Sequence, residues 1–448
     1  MRLFFPGLRF RHPAQLVVGG FALAIAIGTG LLLLPAATSE AGGAPFLTAL
    51  FTSTSAICVT GLIVVDTPAY WSHFGQGVIL GLIQVGGFGI MTAFSLLALV
   101  VLRRLRLRSR LIAQAELGTV ELGGLRRVLL GVAILSVAFE AATALVLTLR
   151  LWLHYDYQLG SAIYHGVFHA ISAFNNAGFA LWSDSLVRFV TDGWITLAVA
   201  VAVVAGGLGF PVWFELQRRP FTPRRWSLHT KLTLGATLFL LVAALAAILS
   251  LEWSNEETLG QFDSSGKLLA GFFQAVTPRT AGFNTVDYGA MTPESLLVTD
   301  MLMFVGAGSA STAGGIKVTT FALLALIVWA EVRGEPHVNT FGRRVPVHVQ
   351  RQALAIAFIA LNAVVISTLL LIATSQFPLS RALFEALSAF GTVGLSTGIT
   401  SEVSSVGQVF LVVLMFLGRI GPYTLAVALA LRERERRYEL PEERPLIG

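Results

Sequence analysis

The sequence predicts an all-α membrane protein built from four pseudo-symmetric repeats of spanning helix, re-entrant loop and spanning helix. The first observation is composition: 55% of the residues are hydrophobic and 12% are charged, about half the charged fraction of a soluble domain. The second is a mean hydropathy of +0.75. The third is an alternation of long and short apolar runs, in which each short run leads into a polar stretch that contains glycine.

The long apolar runs predict eight spanning helices, since each can cross the ~30 Å of hydrocarbon in a bilayer. They occupy residues 14–35, 74–102, 128–152, 192–216, 230–252, 296–330, 351–375 and 406–431. The short runs have a length of about a dozen residues, which predicts re-entrant helices rather than spans. They occupy residues 44–57, 160–174, 266–277 and 378–390.

The sequences that follow the four short runs resemble one another. They read SAICVTGL (55–62), AFNNAGFA (173–180), TPRTAGFN (277–284) and AFGTVGLS (389–396). The predicted repeats are residues 1–103, 104–219, 220–344 and 345–432, with glycine loops at 58–62, 175–179, 279–283 and 391–395 and a tail at 433–448. A repeat with two crossings returns to its starting side, whereas inverted repeats need an odd number of crossings. The sequence therefore predicts four parallel helix–pore loop–helix repeats around a central pore.

The charge distribution indicates topology rather than a nucleic-acid partner. The net charge is +6, from 31 Lys and Arg against 25 Asp and Glu. Most of the basic residues fall at the N-terminus, at 103–127, 218–231 and 333–351, and in the tail from Arg432. These are alternate connections between spans, and basic residues mark the cytoplasmic side. We therefore expect both termini in the cytoplasm.

The four glycine loops predict a path for a cation. Non-helical backbone at membrane depth is tolerated where it is buried in protein or lines a water-filled path. Four loops on one axis would present rings of backbone carbonyls, which can replace the hydration shell of K⁺. Glycine suits this role because consecutive carbonyls face one axis only at φ values that are costly for other residues. The alternative is that the glycines serve close helix packing.

The run at 296–330 is predicted to break at its middle, where it reads GAGSASTAGGIK (306–317). Each glycine costs about 1 kcal/mol in a helix relative to alanine. An unwound segment here would lie below the glycine loops, across the path. The alternative is a kinked, static helix. The segment does not match a phosphate-binding loop, because Ile316 separates Gly315 from Lys317.

Several ionisable residues lie within apolar or loop sequence, where charge is expensive. Arg419 lies in the last span, where it could form a barrier to cations or hold the 306–315 segment through its carbonyls. The alternative for Arg419 is an ion pair with Glu140 of the third span. Lys317 is expected to pair locally or to extend to the interface, and Arg279 to brace the third glycine loop.

Other patterns exclude function classes. His165 and His169 share a helix face, but two ligands are too few for a metal site, so we expect polar contacts of the short helix. A single cysteine, Cys58, allows neither an intramolecular disulfide nor a Cys-based zinc site. The sequence contains neither HExxH nor GxSxG, so we expect no enzyme and no cofactor. The glycines at 86, 87, 89, 206, 207 and 209 are expected to let the second helices of the first two repeats pack closely.

The chain resembles the Trk/Ktr/HKT family of K⁺ transporters from Pro13 to about Arg432. The motifs that carry the resemblance are VTGL (59–62), NNAGF (175–179), TPRTAGFNT (277–285), SASTAGGIK (309–317) and GTVGLSTG (391–398). Without two extra N-terminal spans, the chain looks like the Ktr membrane subunit. Glycine at all four positions (61, 178, 282 and 394) matches the K⁺-selective pattern of the family. Serine at the first of them would suggest Na⁺ permeation.

The resemblance implies a role for particular residues. The K⁺ filter would consist of Val59, Thr60, Gly61, Asn176, Ala177, Gly178, Thr280, Ala281, Gly282, Thr392, Val393 and Gly394. The intramembrane gating loop at 306–315 would act through Gly306, Gly308, Ser309, Ser311, Thr312, Gly314 and Gly315, together with Arg419.

The resemblance also implies K⁺ uptake across the inner (cytoplasmic) membrane, with K⁺ and possibly Na⁺ as substrate. The alternative is a Na⁺- or H⁺-coupled K⁺ symporter. The implied partners are a second copy of this chain in a homodimer and a separate cytosolic ring of nucleotide-binding regulatory subunits.

Overall fold

The structure, a computed structural model, describes residues 13–104 and 122–421 and is mostly helical there. Two short strands, β1 (Asn339–Thr340) and β2 (Arg343–Arg344), pair antiparallel in those residues. The predicted basic N-terminus, residues 105–121 of the basic segment at 103–127, the end of the last span and the tail at 433–448 lie outside the described residues.

The first half of the chain contains eight helices in the described residues. They are α1 (Pro13–Leu32), α2 (Phe46–Ile57), a single turn α3 (Thr67–Tyr70), α4 (His73–Arg104), α5 (Leu122–His154), α6 (Leu159–Phe174), α7 (Gly193–Leu208) and α8 (Phe210–Arg218). The short helices α2 and α6 lie where the sequence predicts re-entrant helices.

The second half follows the same order of long and short helices. Its helices are α9 (Leu228–Glu252), α10 (Ser264–Val276), α11 (Pro293–Phe304), α12 (Val318–Val332), α13 (Val347–Ser375), α14 (Leu379–Gly391) and α15 (Ser405–Ile420). Within the described residues, three helical segments are long and apolar enough to cross a membrane alone: Val128–His154, Leu228–Glu252 and Val347–Ser375. The run predicted to break at 306–317 is interrupted between α11 and α12.

Side-chain caps define the start of several helices. The Asp192 carboxylate accepts a hydrogen bond from the Trp194 amide (2.9 Å) at the start of α7. The Asp263 carboxylate accepts one from the Gly266 amide (2.9 Å) at the start of α10. Such caps satisfy backbone donors that have no partner in the first turn of a helix.

The prediction of one continuous span at 192–216 is wrong. The chain bends by 94° between α7 and α8. The bend lies at Gly209, whose φ of +89° and ψ of 146° are accessible essentially to glycine alone. Pro211 lies in the first turn of α8, a position where proline is favoured because its missing amide hydrogen is not needed.

The short helices form the centre of the molecule and the long helices surround them. Residues 51–57 of α2 and 384–391 of α14 are all buried. The long helices carry large apolar side chains on their outer faces, among them Ile134 of α5 (68% exposed), Leu238 of α9 (64%) and Phe358 of α13 (70%). This distribution is typical of a protein whose outer face meets lipid.

Three glycines bring α4, α7 and α15 against the carboxyl ends of short helices. A Cβ added to Gly86, Gly206 or Gly418 would overlap the carbonyl oxygen of Ile57, Phe174 or Phe390, respectively. The close packing predicted for the glycines of the first two repeats is therefore present at Gly86 and Gly206. The contacts fix the ends of α2, α6 and α14, from which the glycine loops begin.

Candidate functional site

The loops that follow the four short helices share one backbone conformation. In each loop a residue with a side chain has positive φ: Val59 (56°), Asn176 (60°), Thr280 (75°) and Thr392 (51°). Two residues later each loop has a glycine with positive φ: Gly61 (92°), Gly178 (68°), Gly282 (79°) and Gly394 (92°). Positive φ is a genuine outlier for β-branched residues such as valine and threonine. A strained conformation found four times indicates that the surrounding structure enforces it.

The four glycines are packed against one another in cyclic order. A Cβ on Gly178 would lie 2.8 Å from the Gly282 Cα, and one on Gly282 would lie 3.3 Å from the Gly394 Cα. A Cβ on Gly394 would lie 3.0 Å from the Gly61 Cα, and one on Gly61 would lie 3.0 Å from the Gly178 Cα. The loops of the four quarters of the chain thus meet as a closed ring.

At each contact of this ring, a glycine faces the carbonyl oxygen that precedes the next glycine. The Ala177 oxygen faces Gly61, and the Ala281 oxygen faces Gly178. In the same way the Val393 oxygen faces Gly282, and the Thr60 oxygen faces Gly394. Only glycine leaves space for these oxygens. The short helices end just before the loops, so their negative dipole ends lie beside the ring. Such a ring of carbonyls can replace water around a cation.

Hydroxyl groups at the ends of the short helices brace the loops, which the sequence analysis missed. The Ser55 hydroxyl accepts from the Gly61 amide and the Ser388 hydroxyl from the Gly394 amide, both at 3.1 Å. The Ser172 hydroxyl donates to the Phe179 carbonyl (2.8 Å), and the Thr277 hydroxyl donates to the carbonyl of Phe283. In three of the four loops, a serine lies six residues before the glycine of the ring. This repeated spacing was the signal in the sequence that could have revealed these hydroxyl groups.

A second set of polar side chains, one turn earlier on three short helices, holds the segments beyond the ring. His169 Nε2 accepts from the Leu181 amide (3.1 Å), while its Nδ1 contacts the His165 carbonyl (2.7 Å). The histidine pair therefore makes polar contacts of the short helix, as predicted. Gln274 donates to the Thr285 hydroxyl (2.8 Å). Glu385, which is fully buried, accepts from the hydroxyls of Ser396 (3.0 Å) and Thr400.

Arg279 braces the third loop from behind. Its guanidinium donates to the Thr237 carbonyl (3.4 Å) and to the Thr237 hydroxyl (3.2 Å) of α9. The side chain is 6% exposed. The prediction that Arg279 braces this loop through hydrogen bonds is confirmed by these contacts.

The segment between α11 and α12 is an irregular loop packed against the fourth glycine loop. The Gly306 amide donates to the Ile316 carbonyl (2.8 Å), which closes the loop at its base. At the other side, a Cβ on Gly314 would lie 2.8 Å from Thr392 Cγ2, and one on Gly315 would lie 3.2 Å from the Gly391 Cα. The loop thus contacts the start of the fourth glycine loop.

Arg419 joins this loop to the first quarter of the chain. It is 1% exposed, and its Nη1 donates to the Thr312 carbonyl while its Nη2 donates to the Gly86 carbonyl (2.8 Å). Lys317 Nζ, at the end of the loop, donates to the carbonyls of Ala313 (2.5 Å) and Gly314 (3.4 Å). Of the alternatives for Arg419, the structure favours contact with the loop carbonyls.

Glu140 does not pair with Arg419, so the alternative proposed for Arg419 is wrong. Its carboxylate accepts instead from Gln84 Nε2 (3.1 Å) and from Asn175 Nδ2 (3.1 Å). Asn175 also donates to the Gln84 side-chain oxygen (3.0 Å). This buried network connects α4 and α5 to the second glycine loop, which begins at Asn175.

Glu140→Leu is expected to destabilise the protein by ~1–3 kcal/mol, because the amides of Gln84 and Asn175 would lose a buried acceptor. Thermal denaturation in detergent measures this effect. Val137→Leu, on the exposed face of the same helix, is the control and should leave the midpoint unchanged. Equal midpoints for Glu140→Leu and wild type would show that the network is not needed for stability.

Within residues 13–104 and 122–421, no group of three or more His, Cys, Asp and Glu side chains is placed to hold a metal ion. The polar atoms at the ring itself are backbone carbonyls and threonine or asparagine side chains. Neutral oxygen ligands of this kind suit a weakly held monovalent cation.

The chain matches the family model described as TrkH, cation transport protein, over residues 7–438. It is 42% identical to the Ktr system potassium uptake protein B of Bacillus subtilis, over 95% of each chain. It is 39% identical to the Ktr system potassium uptake protein B of Vibrio alginolyticus, over 93% of this chain and 91% of that protein.

One further relative and one solved structure are similar to this chain over most of its length. The potassium/sodium uptake protein NtpJ of Enterococcus hirae is 33% identical over 97% of each chain. The crystal structure of the potassium transporter TrkH from Vibrio parahaemolyticus superposes with a TM-score of 0.72, covering 95% of this chain and 86% of that one at 20% identity. This chain therefore shares the helical membrane fold of TrkH, and it belongs to the TrkH family of cation transport proteins.

Proposed function

We propose that this chain is the pore subunit of a K⁺ uptake system. In this proposal the four repeats surround one central pore, with four re-entrant helices and eight spans, of which those at 192–216 and 296–330 are interrupted. The observation that carries the proposal is the closed ring of Gly61, Gly178, Gly282 and Gly394, each facing a backbone carbonyl of the next loop. The Bacillus subtilis and Vibrio alginolyticus relatives are both potassium uptake proteins, which supports K⁺ as the ion.

The K⁺ filter is formed by residues 59–61, 176–178, 280–282 and 392–394. Their carbonyl oxygens take the place of water around the ion, and the ends of the four short helices add a favourable dipole. The ring binds K⁺ without a charged side chain. A neutral site holds the ion weakly enough for it to leave again, which conduction requires. The membrane potential drives uptake with about 2.3 kcal/mol per charge per 100 mV.

The gate is the loop at 306–315. Contacts of Gly314 and Gly315 with the fourth glycine loop support a position directly below the filter. Arg419 holds the loop through the Thr312 carbonyl and adds a fixed positive charge below the filter, which repels cations. Opening then requires the loop to leave this position.

The family and the charge pattern support a particular assembly. The relatives named as parts of a Ktr system support a complex with a separate regulatory partner. We propose a homodimer of this chain on a cytosolic ring of nucleotide-binding subunits, in the inner (cytoplasmic) membrane with both termini cytoplasmic. Exposed basic residues at the end of α8 and between α8 and α9 support that orientation; they are Arg218, Arg219, Arg224 and Arg225.

A second candidate is K⁺ uptake coupled to Na⁺ or H⁺. It is favoured by one observation, the name potassium/sodium uptake protein of the Enterococcus hirae relative. A coupled transporter requires the second ion, whereas a pore driven by the membrane potential does not.

Rb⁺ uptake into vesicles reconstituted with the purified chain tests both candidates. With an inside-negative potential and no Na⁺, a pore is expected to take up Rb⁺, and excess K⁺ is expected to compete more strongly than Na⁺. Uptake that begins only when Na⁺ or a proton gradient is added would instead identify a symporter. Protein-free vesicles and vesicles without a potential serve as controls.

A further inference from the structure

The bend at Gly209 lies against the loop at 306–315. We call the junction of α7 and α8, residues 206–210, the elbow. Its first arm is α7 and its second arm is α8, and the chain bends by 94° between them. The elbow and the 305–317 segment each interrupt the second helix of a repeat.

The two interruptions are hydrogen-bonded to each other through their backbones. The Gly308 amide donates to the Gly207 carbonyl (2.8 Å) and the Thr312 amide to the Gly206 carbonyl (3.3 Å). In return, the Phe210 amide donates to the Ala310 carbonyl (3.3 Å). The carbonyls of Gly206 and Gly207 lie in the last turn of α7, which ends before Gly209. The last carbonyls of a helix have no amide partner within it, so these two can accept from the loop.

The elbow also fits the loop sterically. A Cβ on Gly209 would lie 2.5 Å from the Ser309 carbonyl oxygen, and one on Gly308 would overlap the Leu208 carbonyl oxygen. A Cβ on Gly206 would lie 2.9 Å from the Thr312 hydroxyl. Glycine on both sides therefore brings the two backbones to hydrogen-bonding distance.

Side chains hold the angle between the two arms. Trp213 Nε1, on α8, donates to the Ala205 carbonyl (2.8 Å) near the end of α7. The Glu215 carboxylate accepts from the Ser227 amide (2.7 Å) and hydroxyl (2.6 Å), which joins α8 to the start of α9. The elbow is thus a braced element, and a loop bonded to it is held in place.

We propose that the elbow is a second latch of the gate: together with Arg419, it holds the 306–315 loop below the filter. The inference rests on the proposed function, since it assigns a role to the elbow only if that loop is the gate. Arg419 and the elbow hold the same residue from two sides, because Arg419 binds the Thr312 carbonyl and the elbow binds the Thr312 amide.

Two variants test the latch in reconstituted vesicles. Trp213→Phe keeps an aromatic ring but removes the Nε1 donor that braces the elbow. Gly209→Ala adds a Cβ against the Ser309 carbonyl at a backbone angle that alanine resists. Both are expected to raise Rb⁺ flux per folded molecule by about five-fold, the effect of losing one hydrogen bond of the closed state. The preference for K⁺ over Na⁺ should not change, because the filter is not touched.

Matched controls separate a latch from a general loss of structure. Trp194→Phe replaces a tryptophan of α7 that is 67% exposed. Gly235→Ala replaces a helical glycine of α9 whose added Cβ meets nothing within 4 Å. Both should leave flux and selectivity at wild-type values. A merely structural role of the elbow predicts less folded protein with unchanged flux per molecule, and that result would overturn the inference.

Arg419→Ala, measured in parallel, distinguishes failure of the inference from failure of the proposed function. If Arg419→Ala raises flux and neither elbow variant does, the loop is the gate but the elbow is not its latch. If none of the three variants raises flux, the loop at 306–315 is not the gate and both proposals fall.

Discussion

Arg419→Ala is expected to raise K⁺ flux per molecule by roughly ten- to one-hundred-fold, because each hydrogen bond from a charged donor contributes about 1.5–3 kcal/mol and 1.4 kcal/mol corresponds to a factor of about ten. The wild-type guanidinium joins Thr312 of the loop to Gly86 of α4. Without it, the loop loses its connection to the first quarter of the chain, and the fixed positive charge below the filter disappears. Rb⁺ uptake into vesicles under a set potential measures the change.

Arg419→Lys separates the two effects of this side chain. Lysine keeps the charge but lacks the planar group that reaches two carbonyls at once. If the loop contacts hold the gate closed, the lysine variant should conduct nearly as well as the alanine variant; if charge is the barrier, it should stay near wild type. Arg381→Ala, at an exposed arginine of α14, controls for loss of one positive charge. Wild-type flux in a folded Arg419→Ala protein would contradict the proposed gate.

The positions of the glycine loops could be predicted from sequence because the repeats carry the same signals four times. Short apolar runs, glycines and large apolar residues recur in register, and the helices α2, α6, α10 and α14 lie at the predicted places. The individual partners could not be predicted in this way. Arg419 binds carbonyls 107 and 333 residues away in the chain, and a backbone carbonyl leaves no signature in the sequence.

The bend at Gly209 was missed for a different physical reason. The apolar run at 192–216 continues through the bend, and hydropathy alone does not distinguish a straight helix from a bent one. The local signal was Gly209 followed two residues later by Pro211, the pattern of a helix that ends at glycine and a new helix that begins with proline. Glycines that were interpreted as packing sites here also terminate a helix.

Gly61→Ser is expected to lower the preference for K⁺ over Na⁺ by about ten-fold or more, which needs a change of only ~1.4 kcal/mol in the relative binding of the two ions. The reason is geometric. Gly61 has a φ of 92°, and a Cβ at this position would overlap the Ala177 carbonyl oxygen and lie 3.0 Å from the Gly178 Cα. The first and second loops must move apart, so the carbonyl oxygens no longer surround a dehydrated K⁺ evenly.

Gly398→Ser provides a control with the same backbone strain. Gly398 has a φ of 91°, close to that of Gly61, but a Cβ there meets nothing within 4 Å. Both variants therefore carry the cost of a side chain at positive φ, and Gly61→Ser alone crowds the ring. Competition of K⁺ and Na⁺ for Rb⁺ uptake measures selectivity in each. Because the backbone strain is matched, a loss of selectivity in both variants would point to general distortion of the loops. An unchanged K⁺-to-Na⁺ selectivity in Gly61→Ser would show that the ring does not select the ion. A loss confined to Gly61→Ser requires the ion to be selected where the four glycines meet.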